Sequence, residues 1–168
     1  AVPAGAETID AGGLYVGPGF VDIHCHGGGG VWSFDDPSTY ARAHLAHGTT
    51  SILPTLVYNQ SEEDTIAGVA RIAEVIETSA DPLDKAIVGI HMEGPYINKK
   101  YGAIIAPIRP PTPREYNEVL RIAGKHIKVW TMAPELEGQE EFVEAASPYG
   151  IAFSVGHSEA TAERIFQF

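Results

Sequence analysis

Three places in the chain carry residue types that can hold a metal ion. His24-Cys25-His26 closes a short apolar run, Gly19-Phe20-Val21-Asp22-Ile23, and is followed by four glycines, Gly27 to Gly30. Strand residues two apart point to the same face, so both imidazoles can meet one cation, and the glycine loop leaves room for a substrate to approach. Alone, a His-x-His pair is a modest signal, because two histidines near a strand end are often surface or satisfied core residues. His91-Met92-Glu93-Gly94-Pro95 places a carboxylate where another apolar run turns, and Gly156-His157-Ser158 places an imidazole just before a helix start. Two histidines, a glutamate and a further histidine are nitrogen and oxygen ligands suited to zinc or a similar divalent ion. Spread over three strand ends, the set is far more specific than the pair.

The elements that must position these residues follow from periodicity. The first strand, 20–25, leads through the glycine loop to Asp36-Pro37, an aspartate cap with a proline at the first helical position, and a helix ending near Gly48. Residues 50–57 form the second strand. Ser61-Glu62-Glu63-Asp64 resembles a capping box and opens a helix with Ile66, Val69, Ala70, Ala73 and Ile76 on one face. The third strand is expected at 86–91. Thr112-Pro113-Arg114-Glu115 opens a helix that Gly124 stops, and residues 127–132 form the fourth strand. A helix over 139–146, a fifth strand at 151–155 and a last helix capped by Ser158 complete the pattern. Five strands separated by helices imply an α/β fold with a parallel sheet, either doubly wound or part of an eight-stranded barrel. In both architectures chemistry gathers beyond the carboxyl ends of the strands, where the candidate ligands stand. The glycine run lacks the helix start that a nucleotide-binding fingerprint requires.

Composition narrows the classes further. With 168 residues, 44% hydrophobic and 20% charged, the chain has the makeup of a soluble globular protein with one sizeable core. A net charge of −11 argues against a general nucleic-acid surface, while leaving room for an anionic small substrate in a local basic pocket. No segment is long and apolar enough to suggest a membrane span. A lone cysteine, Cys25, agrees with a reducing cytoplasm.

At these residues the chain resembles a known family. Pro18-Gly19-Phe20-Val21-Asp22-Ile23-His24-Cys25-His26-Gly27, His91-Met92-Glu93-Gly94-Pro95, Ala133-Pro134-Glu135 and Gly156-His157-Ser158-Glu159-Ala160-Thr161 look like successive signatures of the N-acetylglucosamine-6-phosphate deacetylases of the amidohydrolase superfamily. The first block is common to many amidohydrolases, and the second and fourth are more particular. The resemblance implies a partial (β/α)8 TIM-type barrel of about five βα units at 17–168, preceded at 1–16 by the remnant of a small β-domain. It also implies hydrolysis of the acetamido group of N-acetylglucosamine 6-phosphate to glucosamine 6-phosphate and acetate, by a cytoplasmic homodimer. Glu93 and His157 would hold a divalent metal, zinc first and iron as the alternative, with His24 and His26 admitting a second ion. Asp22 and His91 would support the ligands from behind. Ala103 and Ile104 match positions that touch the sugar, although Ile104 departs from the polar residue expected there. No aspartate of the chain matches the family's acid/base, so the chain reads as a piece of a longer enzyme, inactive alone.

Plainer readings stand beside this one. A truncated noncatalytic module could bind metal or pair through open sheet edges. A hydrolase of cyclic amides would share His24 and His26, but usually carries a strand-four lysine, and Thr131-Met132-Ala133 has none. His44 and His47, one helical turn apart, read as surface residues, His126 as solvated and Cys25 as core.

Overall fold

The computed structural model describes residues 2–102 and 107–167, so Ala103 and Ile104 lie outside the described residues. In chain order, β1 (Phe20–Cys25), the short strands β2 (Gly27–Gly28) and β3 (Val31–Trp32), and α1 (Pro37–Leu45) come first. They are followed by β4 (Thr49–Leu56), α2 (Glu62–Thr78), β5 (Ile90–Glu93), α3 (Pro113–Ala123) and β6 (Ile127–Met132). The chain continues with α4 (Gln139–Ala146), β7 (Ala152–Val155) and α5 (Ala162–Ile165). The main sheet has the order β1-β4-β5-β6-β7, every pair parallel, and curls as part of a TIM-type barrel. Sequential parallel order places all five carboxyl ends along one rim, which brings residues as far apart as His24 and His157 together.

The helices start where short polar side chains can meet the first free N–H groups. Asp36, Ser61 and Thr112 accept from the amides of Thr39, Asp64 and Glu115. Tyr40, Val69, Ile72, Val119, Leu120 and Phe142 from the helices pack against Ile52, Ile90 and Trp130 of the sheet. The Trp130 ring lies edge-on to Phe142 at 4.7 Å, and its indole Nε1–H donates to the carbonyl of Gly94 at 3.0 Å. The core is thereby tied to the turn that follows Glu93. At Gly94 φ is +77° and a Cβ would meet that of Tyr58 at 2.9 Å, so this turn needs glycine.

The sheet is unevenly covered. Every residue of β5 is buried, whereas β1 exposes Phe20, Val21 and Ile23 and β7 exposes Val155. Residues 2–19 form no strand or helix and are largely exposed. Among the described residues no helix is long and apolar enough to cross a membrane.

The structure departs from the sequence pattern in three places. The third strand starts at Ile90 instead of Ala86, because Asp81 caps Leu83 and Pro82 opens a 3-10 turn over Pro82–Ala86. Buried Asp84 holds that turn by accepting from Ser38 at 2.8 Å and Ser79 at 2.6 Å, and only a bridge between Ile52 and Ile87 precedes the regular pairing. The glycine loop is a small hairpin, Gly27 opposite Trp32 and Gly28 opposite Val31. The last helix is capped by Thr161 and not by Ser158, whose hydroxyl instead donates to Glu135 at 2.6 Å.

Glu135 also accepts from Asn98 Nδ2 at 2.9 Å and from the amide of Glu159 at 2.6 Å, joining the segments that follow β5, β6 and β7. Its partial burial pushes the carboxyl up, but bonds from Ser158, Glu159 and Asn98 outweigh this and hold it below the ordinary glutamate value. A group held low in the folded state stabilises above its unfolded pKa, and that contribution fades as pH falls through the folded value. Glu135→Ala should cost about 2 kcal/mol at neutral pH, the scale of losing charge-assisted hydrogen bonds. The difference from the wild type should close below about pH 4.3, as read by urea unfolding across pH. Trp130→Ala, which empties the core and frees the Gly94 carbonyl, should cost about 3–5 kcal/mol by the same measurement.

Candidate metal centre

Glu93 is the last residue of β5 and its side chain is only 7% exposed. Three imidazoles converge on its carboxylate. His26 Nε2 lies 3.2 Å from Oε2, His157 Nε2 lies 2.9 Å from Oε1, and His24 Nε2 lies 3.7 Å from Oε1. The ligand atoms of His24, His26 and Glu93 all fall within 4.8 Å of one another. His24 and His26 share a face of β1 and its continuation, and their rings meet edge-on at 5.1 Å. His157 follows β7 with a φ of +51°, a left-handed conformation uncommon outside glycine but one that histidine adopts more readily than most residues. Its carbonyl accepts from the Asn98 amide at 2.9 Å, which fixes the turn that aims the ring at Glu93.

The hydrogen-bond logic around His26 is informative. Its Nδ1 lies 3.1 Å from the Thr55 carbonyl, an oxygen that can only accept, so Nδ1 must carry the proton. A neutral His26 then presents the Nε2 lone pair to Glu93 Oε2, which among the described residues is itself buried without a hydrogen-bond partner. Two acceptors 3.2 Å apart require either a second proton or a cation between them. Without a cation the proton is favoured, and Glu93 raises His26 above the ordinary imidazole pKa despite the opposing effect of burial. Burial pushes the Glu93 carboxyl up, but His26, then His157 and His24, outweigh it and hold it below its ordinary value. An orphaned buried carboxylate oxygen beside a histidine with a fixed tautomer fits a divalent cation with nitrogen and oxygen ligands.

The remaining residues singled out from the sequence sort by their partners. His91 is buried with both ring nitrogens engaged, Nδ1 on the Ile23 carbonyl at 2.7 Å and Nε2 with the Thr131 hydroxyl at 2.8 Å. Burial lowers its pKa, and its ring supports that of His24 edge-on at 4.8 Å. Asp22 Oδ1 accepts from the His24 amide at 3.0 Å. His47 is exposed, but His44 is half-buried against the Tyr40 ring at 4.4 Å. His126 pairs with Glu77 at 2.8 Å.

Thr55 and Tyr58 carry no distinguishing signal in the sequence. Thr55 holds His26 through its carbonyl and accepts from the Cys25 amide through its hydroxyl at 3.1 Å, while the Tyr58 ring lies 5.3 Å from that of His157. Both stand at the carboxyl end of β4, a place that barrel logic marks even when the residue types do not.

No family model matches the chain. N-acetylglucosamine-6-phosphate deacetylase of Bos taurus is 34% identical over 176 residues, covering 96% of this chain and 42% of that protein. A crystal structure of N-acetylglucosamine-6-phosphate deacetylase from Pasteurella multocida has a TM-score of 0.81 at 26% identity, covering 99% of this chain and 44% of that one. An aspartate-to-alanine variant of the Mycobacterium smegmatis deacetylase, in complex with N-acetyl-D-glucosamine-6-phosphate, has a TM-score of 0.73 at 30% identity, covering 88% and 38%. The chain spans about two fifths of the length of the curated relatives it matches. Over nearly all of its own length, in sequence and in fold, it is similar to that part of N-acetylglucosamine-6-phosphate deacetylase.

Proposed function

We propose that this chain forms the metal-holding part of a deacetylase that releases acetate from N-acetylglucosamine 6-phosphate. The observation that carries the reading is the unpartnered Glu93 Oε2, facing the Nε2 of a His26 whose other nitrogen is committed to the Thr55 carbonyl. Glu93, His157, His24 and His26 would hold one or two divalent ions, zinc first. Such an ion supplies a hydroxide-like water at neutral pH and polarises the acetyl carbonyl. The protein's own contribution is orientation. Thr55 fixes the His26 tautomer, His91 and Asp22 steady His24, and the Asn98 contact holds the His157 turn. The sugar-phosphate complex of the mycobacterial relative supports the substrate class. On this reading residues 1–16 continue a small β-domain and 17–168 belong to the barrel.

Among the described residues Asp22 touches the cluster through the His24 amide, and no aspartate of the chain matches the acid/base that would deliver a proton to the departing amine. The 168-residue chain by itself should therefore bind metal yet release acetate no faster than background. Full activity of the isolated chain would overturn this account. A second reading, a noncatalytic module pairing through its edge, is favoured by the exposed Phe20, Val21 and Ile23 on β1. Sedimentation at rising concentration separates the two.

Metal uptake should be steeply pH-dependent. The cation must displace the proton that Glu93 keeps on His26 above the ordinary imidazole value, so affinity should climb as pH rises through that raised value and then level. Glu93→Gln should weaken zinc binding by more than the roughly 10- to 100-fold typical of losing an outer partner, while His47→Ala leaves it unchanged. Competition with a chromogenic chelator measures both, and equal effects of the two substitutions would remove Glu93 from the ligand set.

A further inference from the structure

A second group of ligating side chains lies behind the first. The ligand atoms of Asp22, Cys25 and His44 fall within 4.8 Å of one another, with all three residues half-buried. Strict alternation would put Asp22 and Cys25 on opposite faces of β1, but the register of β1 on β4 slips between them, so residues three apart can serve one site. His44 comes from α1, with its ring against Tyr40.

His44 Nε2 is buried and has no hydrogen-bond partner among the described residues. Polar atoms buried in this way usually find one. A Cβ at position 28 would come within 3.1 Å of that nitrogen, so a glycine there preserves its position. Cys25 is a free thiol whose Sγ–H donates to the Gly27 carbonyl at 3.3 Å. The Tyr40 hydroxyl, whose pKa burial raises first and Cys25 and Asp22 raise further, stands beside the pair and donates to the Cys25 carbonyl.

We propose that Asp22, Cys25 and His44 form a second metal site between β1 and α1, one that takes a thiophilic divalent cation of the zinc class. Thiolate, imidazole and carboxylate together suit such an ion and discriminate against magnesium and calcium, which prefer oxygen. The thiol proton leaves to solvent on binding, and the carboxylate and thiolate then balance the two positive charges. Ligands at about 2.0 to 2.3 Å from zinc would draw the three donor atoms closer and pin α1 to the strand that carries His24 and His26. The inference stands apart from the deacetylase reading, because none of its three residues is among the ligands proposed at Glu93, a cluster that Asp22 touches through the His24 amide.

Cobalt(II) is the probe, added to the whole 168-residue chain. Cys25 is the only cysteine, so a thiolate-to-cobalt charge-transfer band reports this site and no other sulfur. The band should appear in the wild type, and His44→Gln and Asp22→Asn should each weaken the affinity that produces it at least about tenfold. Glu93→Gln should leave the band in place. Absence of the band from the wild type, an unchanged affinity in His44→Gln, or loss of the band in Glu93→Gln would overturn the proposal, the last because the thiol would then serve the other cluster. Zinc should also slow alkylation of Cys25 by iodoacetamide in the wild type and not in His44→Gln, with both shown folded by circular dichroism. Equal protection would count against the site.

Discussion

A carboxylate that is almost wholly buried must be answered by positive charge, and at the end of β5 Glu93 is answered, among the described residues, by imidazoles. Each of those rings comes from a different place along the rim or sits beside another that does, so the sheet has to bring the carboxyl ends of β1, β5 and β7 to one point. Sequential parallel order does this without long connections, and the curl of the sheet closes the distance between β1 and β7. Desolvation makes the arrangement demanding. An ion pair or a cation has to occupy the space between Glu93 and His26, since two lone pairs facing each other in a buried site repel.

The surrounding contacts act to keep that geometry from relaxing. Trp130 links the aromatic core to the Gly94 carbonyl one residue past Glu93, and Glu135 joins the segments that follow three neighbouring strands. Packing beneath the rim and hydrogen bonding above it therefore constrain the same short stretch of chain. In such a site the orientation of a ligand ring is decided by its second nitrogen, and Thr55 supplies that partner for His26, while the Ile23 carbonyl and Thr131 hold His91 against His24.

Much of this was legible in the sequence because the decisive residues are chemically distinctive. Histidines and a glutamate at strand ends announce themselves, and the caps at Asp36, Ser61 and Thr112 mark their helices. What the sequence hid depends on contacts far along the chain. Nothing local distinguishes Thr55 from any strand threonine, or shows that Ser158 spends its hydroxyl on Glu135 instead of on a helix amide. His44 reads as a surface histidine at helical spacing, yet it is half-buried, with its ring against Tyr40 and its Nε2 over Gly28, where a Cβ would come within 3.1 Å. The third strand begins later than its apolar run because Asp81, Pro82 and Asp84 divert the backbone into a turn that periodicity does not register.

The left-handed backbone at His157 places on one residue two demands that usually fall on different ones. The conformation belongs to the turn and the imidazole belongs to the cluster, and few side chains tolerate the first while offering the second. Asparagine accepts such a φ readily, so it can keep the path of the chain while abolishing the ligand, whereas a β-branched residue loses both. Drift at this position is therefore channelled: a lineage that abandons the chemistry can still inherit the turn, and one that abandons the turn cannot keep the chemistry.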